Sequence, residues 1–194
     1  MGFLSVLSYA HKLIEERMRS GEAAIDATAG NGVDTAFLAR IAGPSGSVHA
    51  FDIQSQALEQ TAARLEREQL AGPHIRLHLR SHAELEEAVP QEQHGHIAAV
   101  MFNLGYLPGQ DHATITKPDS TLAALEATTR LLRRGGIITI VLYTGHPGGK
   151  AEAEAVEKWA AGLAQRFFQV LQVRFLNQKN DPPYLIAVEK RQSD

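Results

Sequence analysis

The hydrophobic rhythm of this chain changes period repeatedly, and that alternation constrains its fold more than any single residue. Leu7, Ala10, Ile14 and Met18 share one helical face, which "RSGE" breaks before the short apolar run Ala23 to Ile25. Residues 33 to 42 then predict a helix, "SVHAFDI" a buried strand, and Gln54 to Leu70 a long helix closed by Gly72-Pro73. "IRLHL" and "HIAAVMFNL" supply a third and a fourth strand. Leu122, Leu125 and Leu132, with Arg130, Arg133 and Arg134 placed to suit a helix dipole, predict a helix ended by Gly135-Gly136. "IITIVLY" is a fifth strand, and Val156, Trp159, Leu163 and Phe167 mark the next helix. "QVLQVRFLN" and "YLIAVEK", around the turn "QKNDPP", read as a C-terminal antiparallel hairpin. Strands alternating with helices imply an α/β, Rossmann-like fold: a mostly parallel seven-stranded sheet covered by helices on both faces. No repeat or linker interrupts the pattern, so residues 1–194 are expected to form one domain.

Composition narrows the function. A chain of 194 residues that is 44% hydrophobic can bury a substantial core. Its net charge of -3 argues against a strongly basic nucleic-acid coat, so RNA handling would need a local basic surface. The absence of cysteine removes disulfides and thiolate metal sites, and a reducing cytoplasm is the simplest compartment. "MGFLSVLSYA" has no basic region before it and runs into "HKLIEER", which fits an amphipathic helix better than a signal peptide; no apolar run could span a bilayer.

The stretch "DATAGNGVDT", residues 26 to 35, joins the first strand to the first crossover helix, where open parallel sheets bind ligands. Gly30 and Gly32 let a ligand approach the main chain. A dinucleotide fingerprint is G-x-G-x-x-G, and this pattern is D-x-x-x-G-x-G instead. Asp26 would repel phosphate and attract an ammonium group. Asp52 ends the second strand, where a carboxylate can accept hydrogen bonds from both hydroxyls of a ribose. An adenosine that carries an amino acid in place of phosphates satisfies both, which is S-adenosylmethionine (SAM). The candidate cofactor contacts are Asp26, Thr28, Gly30, Asn31, Gly32, Asp34 and Thr35 in the turn, and Asp52, Ile53 and Gln54 after the second strand. Ser81 and His82, after the third strand, face the expected adenine site. Asn103 closes the set.

"FNLGYLPGQD", after the fourth strand, resembles the Asn-Pro-Pro-Tyr motif of amino-group methyltransferases, in which the Asn oxygen holds an amine toward the methyl group and the aromatic ring packs on the target. Asn103 and Tyr106 match its ends, and Leu104 and Gly105 replace the prolines. Among nine histidines, His49, His74 and His78 lie in or beside strands and read as structural. His94 and His96 lack a third metal ligand, so no metal is expected. His11 can pack the first helix over the cofactor.

"AH" at 10 and 11, "DATAGNGVDT", "SH" at 81 and 82, "NLGYLPGQD", "YTGHPGG" and "NQKNDPPYLIAVEK" together resemble the MnmM (YtqB) family over nearly the whole chain. Gln110 stands where that family more usually has glycine. The resemblance implies a class I methyltransferase that completes 5-methylaminomethyl-(2-thio)uridine at the wobble position of tRNA, with SAM as methyl donor. Asn103 is then an orienter of the acceptor amine, and Asp111, His112 and His146 are candidate proton acceptors. Leu104, Gly105 and Tyr106 would line the acceptor site. Lys117, Lys150, Arg174 and Lys179 come from loops or edges that could converge on an anticodon stem-loop. Members of such families often pair, so a homodimer is a further expectation. Methylation of an rRNA base or a small-molecule amine, and a non-catalytic RNA- or nucleotide-binding module, stay open as alternatives.

Overall fold

The computed structural model describes residues 2–105 and 116–191. Seven strands form one sheet: β1 (Ala23–Asp26), β2 (Ser47–Asp52), β3 (Ile75–Leu79), β4 (Ile97–Leu104), β5 (Leu132–Leu142), β6 (Phe168–Val173) and β7 (Tyr184–Lys190). Their order is β3-β2-β1-β4-β5-β7-β6. β1 to β5 pair in parallel, and β7 runs antiparallel to both of its neighbours, β5 and β6. The hairpin read from the sequence is therefore present, with its second strand inserted between the fifth and the first of the pair.

Among the described residues six α-helices cover the two faces: α1 (Val6–Glu15), α2 (Val33–Ala42) and α3 (Ser55–Arg67) on one side, α4 (Leu85–Ala88), α5 (Pro118–Leu131) and α6 (Gly149–Gly162) on the other. The runs of β4 and β5 are buried on both faces, Val100, Phe102, Ile138 and Ile140 on one and Met101, Ile137 and Val141 on the other, as continuous apolar strands require. Among the described residues no helix is long and apolar enough to cross a membrane.

Besides small shifts, such as α3 ending at Arg67 before Leu70 and β6 ending at Val173 before Asn177, three features differ from the sequence reading. The buried stripe of α1 is Val6, Ala10, Leu13 and Ile14; Leu7 is exposed, and Met18 is buried beyond the end of the helix. Second, α5 stops at Leu131, so Arg133 and Arg134 belong to β5 and not to a helix terminus. The glycines there make a bulge: Gly135 has φ 70°, and the pairing of β4 with β5 jumps between Ile97–Leu132 and Ala99–Ile137. A Cβ on Gly136 would sit 2.9 Å from the Arg133 carbonyl and 3.0 Å from that of Ile97. Third, α6 ends at Gly162, and Leu163 and Phe167 reach the same core from the turn beyond it. Their helical spacing records a shared apolar face, not a continuous helix.

The strand order reverses direction between β1 and β4. That switch point, at the carboxyl ends of β1 and β4, is where open parallel sheets place a ligand crevice.

Candidate active site

The crevice floor is built by the turn from β1 to α2. Gly32 caps α2 at φ 78°, a conformation that favours glycine, and a Cβ there would lie 2.8 Å from the Thr61 backbone of α3. The turn is further pinned by Thr61, whose hydroxyl donates to the Gly30 carbonyl at 3.2 Å, and by Arg64, whose Nε donates to the Asn31 carbonyl at 2.8 Å. Main chain is thus exposed toward the crevice while its rear is locked to α3.

Three carboxylates stand around this turn. Asp26 is fully buried beneath it; its oxygens accept from the Thr28 backbone N–H at 3.2 Å and from the Thr35 hydroxyl at 2.6 Å. Burial first, and then the Asp34 carboxylate, push its pKa up to about 7 against the pull of those two bonds. Any cation above the turn feels Asp26 through the backbone it holds, not by direct contact. Asp52 ends β2 and accepts the Gly30 N–H at 3.0 Å on one oxygen and the Gln54 N–H at 2.9 Å on the other. Each of its oxygens keeps a lone pair for a further donor. Beside it Ile53 is 57% exposed, an apolar side chain left bare at the mouth of the crevice.

Asp34, in the first turn of α2, is buried and engaged twice. His11 Nε2 lies 2.6 Å from its Oδ1, and Asn103 Nδ2 donates to its Oδ2. The His11 ring stacks on Phe37 with centroids 3.9 Å apart and planes within 6°. Asn103 sits at the carboxyl end of β4, and its own backbone N–H donates to the Thr28 hydroxyl at 2.8 Å. Its Oδ1 is buried and has no hydrogen-bond partner among the described residues. An amide oxygen in that condition is costly unless something else supplies a donor.

Ser81 caps the short 3-10 turn after β3 by accepting the Ala83 N–H at 3.2 Å, and His82 is buried behind it, edge-on to Phe102 at 6.0 Å. Burial lowers the His82 pKa, opposed by its hydrogen bond to the Ala27 backbone and by the Asp52 charge, and its Nε2 is another buried atom without a partner. His146 is buried in the loop after β5, with Nδ1 3.0 Å from the Pro147 carbonyl. Gly149 makes room for it, since a Cβ there would meet the Tyr143 carbonyl at 2.6 Å and His146 Nε2 at 2.8 Å.

The expected acceptor-site residues divide. Leu104 turns its side chain into the core and gives its carbonyl to the Tyr143 N–H at 3.1 Å. Gly105 lies against Tyr143, where a Cβ would come within 3.1 Å of the Tyr143 side chain. Tyr106, Asp111 and His112 lie outside the described residues. Tyr143 itself was not singled out from the sequence. Its phenol is held above its usual pKa by burial and then by Asp34, so it stays neutral beside that carboxylate. Its position at the end of β5, next to β4, is the signal that would have found it.

Of the basic residues, Lys150 begins α6 and pairs with Asp181 at 3.3 Å, which ties it to the β6–β7 loop that carries Lys179. Arg174 stacks over Tyr184 at 5.2 Å, and Lys117 caps α5. All four stand on the carboxyl-end side of the parallel strands, because Tyr184 is in register with Leu142 and α5 follows β4. No group of three His, Cys, Asp or Glu side chains suited to a metal occurs among the described residues.

A family model described as "Putative rRNA methylase" matches residues 48–189. A chloroplastic tRNA (mnm(5)s(2)U34)-methyltransferase of Arabidopsis thaliana is 37% identical over 193 residues, which cover 95% of this chain and 69% of that one. Among solved structures, a "putative rRNA-methylase" from Clostridium thermocellum superimposes with a TM-score of 0.93 at 38% identity, covering 98% of this chain and 100% of that one. SMU.1697c from Streptococcus mutans, determined in complex with SAH, gives a TM-score of 0.87 at 35% identity, with coverage of 97% and 99%.

Proposed function

This chain belongs to the rRNA methylase family and has the class I methyltransferase fold, and we propose that it acts as a tRNA methyltransferase of the MnmM (YtqB) type. In this reading the methyl group passes from SAM to the exocyclic amine of 5-aminomethyl-(2-thio)uridine at wobble position 34. The observation that carries it is the buried, unpartnered Oδ1 of Asn103 at the end of β4, an acceptor waiting for an N–H donor.

The crevice fits the cofactor on its own chemistry. Asp52 offers carboxylate oxygens for a ribose, Ile53 a bare apolar surface for a base, and Gly30 and Gly32 positions in the turn that carry no side chain. Asp34 gives the amino-acid end a carboxylate neighbour, and Asp26, its pKa raised to about 7, adds only a partial charge at neutral pH. Ser81 and His82 would border the adenine. When bound, the group supplies an electrophilic methyl on a sulfonium; the remaining work is done by the chain.

That work begins with the proton balance. An amine with a lysine-like pKa of about 10.4 is neutral at pH 7 only at a cost of roughly 4 to 5 kcal/mol, an upper bound for a more acidic benzylic-type amine. Desolvation in the crevice lowers the cost, and Asn103 Oδ1 accepts one N–H so that the lone pair is aimed along the transfer path. The proton lost goes to an acceptor after β4 or β5, where His146, Asp111 and His112 are the candidates. Lys117, Lys150, Arg174 and Lys179 would take the phosphates of the anticodon stem-loop, whose unpaired wobble nucleotide can leave its stack at a cost of a few kcal/mol.

Purified protein, SAM and tRNA carrying 5-aminomethyluridine test the reading, with nucleosides resolved by mass spectrometry. The methylaminomethyl product should appear, and Asn103→Ala should cut transfer about a hundredfold while SAM affinity stays within a few fold. Absence of that product with wild-type protein, or transfer to rRNA or a small amine instead, overturns it.

A further inference from the structure

We propose that Asp34 and His11 are positioning residues that lock the Asn103 side-chain amide with its oxygen facing the acceptor amine. The inference rests on the function proposed above and assigns to a helix outside the β1–α2 turn a part in choosing the acceptor.

A primary amide offers two nearly isosteric ends, and rotation by half a turn exchanges them. With Nδ2 outward, Asn103 would present donors and would favour an acceptor such as a carbonyl. With Oδ1 outward it favours an N–H. Nothing within an isolated asparagine selects between these settings. Here Asp34 does. Its Oδ2 accepts from Asn103 Nδ2, and the flipped setting would set the amide carbonyl against a carboxylate with no hydrogen between them. One setting gains a charge-assisted hydrogen bond and the other places two acceptors in contact.

Asp34 must itself be held for the selection to be sharp. Its other oxygen receives His11 Nε2 at 2.6 Å, and the His11 ring is clamped flat on Phe37 at 3.9 Å between centroids. His11 comes from α1, Asp34 from α2 and Asn103 from β4, spaced 23 and 69 residues apart along the two contacts. Donation from Nε2 needs either the Nε2–H tautomer or the protonated ring, so the link survives whether or not His11 is charged. The other side of Asn103 leaves Oδ1 buried and without a hydrogen-bond partner among the described residues, so the amide is bound at one end and unpaired at the other. The consequence is specificity for an acceptor atom that carries hydrogen to donate, an amine rather than an ether, a thione or an N-alkylated tertiary centre.

The side-chain amide resonance of Asn103, assigned by its loss in Asn103→Ala, reads the orientation without any substrate. In wild-type protein one amide proton should be strongly deshielded by the carboxylate; Asp34→Asn should collapse that shift, and His11→Ala should reduce it. On tRNA bearing 5-aminomethyluridine and at saturating SAM, so that any change in cofactor affinity drops out, Asp34→Asn should lower kcat about 10- to 100-fold, the scale of one charge-assisted hydrogen bond, with KM for RNA changed less than about threefold. His11→Gln, which keeps an N–H donor of similar reach, should recover most of the kcat lost in His11→Ala. An amide resonance unmoved by Asp34→Asn, or a near wild-type kcat at saturating SAM in that variant, overturns the proposal. Failure of the wild-type protein on that RNA would overturn the proposed function and leave the resonance to decide the positioning by itself.

Discussion

Replacing Asp26 with asparagine separates the charge beneath the β1–α2 turn from its shape. The carboxyl is fully buried, and burial, with Asp34 and then Asp52 adding to it, raises its pKa from 3.8 to about 7 even though Thr35 and Thr28 donate to it. The folded protein therefore holds this proton more tightly than the unfolded chain does. Stability from this group is fully present below about pH 4 and is lost as pH rises toward 7, because the native state binds the additional proton across that window. A gap of about three pH units at about 1.4 kcal/mol per unit makes the total on the order of 4 kcal/mol. Asn fills the same space, still accepts the Thr28 N–H, and lets the Thr35 hydroxyl turn to accept from the amide. Urea unfolding of wild-type and Asp26→Asn protein from pH 4.5 to 8.5 measures the difference. The variant should gain on the wild type by roughly 1 kcal/mol per pH unit between pH 4.5 and 6.5, and the gain should level off above pH 7. Parallel stability curves would refute the reasoning. So would a variant that loses ground as pH rises, since that would mean the two hydrogen bonds outweigh burial and hold the pKa down.

Three further outcomes follow from the same geometry. Asp52→Ala should weaken SAM binding at least about tenfold in calorimetry, because ribose hydroxyls lose charge-assisted acceptors worth about 1.5 to 3 kcal/mol each, and exhaustive chelation should leave wild-type binding intact. Glu152 is buried at the start of α6 and accepts from the Thr116 and Thr121 hydroxyls, both at 2.6 Å. Glu152→Ala strands both hydroxyls and should cost about 2 to 4 kcal/mol in urea unfolding, against a much smaller loss for Glu152→Gln. Binding of tRNA should fall steeply with salt, and joint alanine replacement of Lys117, Lys150, Arg174 and Lys179 should flatten that dependence without altering SAM affinity; salt-insensitive binding would exclude this surface.

The alternation of apolar periods is enough to read all seven strands: β1, β2, β4, β5 and β7 are largely buried, and the edge strands β3 and β6, only partly covered, still carry a short local run of apolar residues. Where the reading slipped, the determinant was not local. Leu132 to Arg134 look like a last helical turn until the bulge opposite Ile97 is known, and Arg133 is extended because it reaches Glu22 at 2.6 Å and the Arg17 carbonyl at 2.9 Å, far away in sequence. The site shows the same division. Asp26, Asp52 and Asn103 stand at strand ends and could be named from spacing. That Asp34 holds both His11 and Asn103, and that Tyr143 lies over Gly105, depend on which loops the strand order brings together.

The place of β7 bears on how the chain is made. β6 pairs with β7 and with no other strand among the described residues, yet it precedes β7 in sequence. A ribosome therefore releases β6 before the strand that can hold it. Until residues 184–190 emerge, the Ile137 to Leu142 stretch of β5 presents an open apolar edge, and β6 lacks the strand it pairs with. Such an edge is a template for pairing with another nascent chain, and its exposure lasts as long as elongation does. Synthesis of one seven-residue strand is thus the event that seals the sheet, and a ribosome stalled within the β6–β7 loop would display a nearly finished domain with its stickiest edge uncovered.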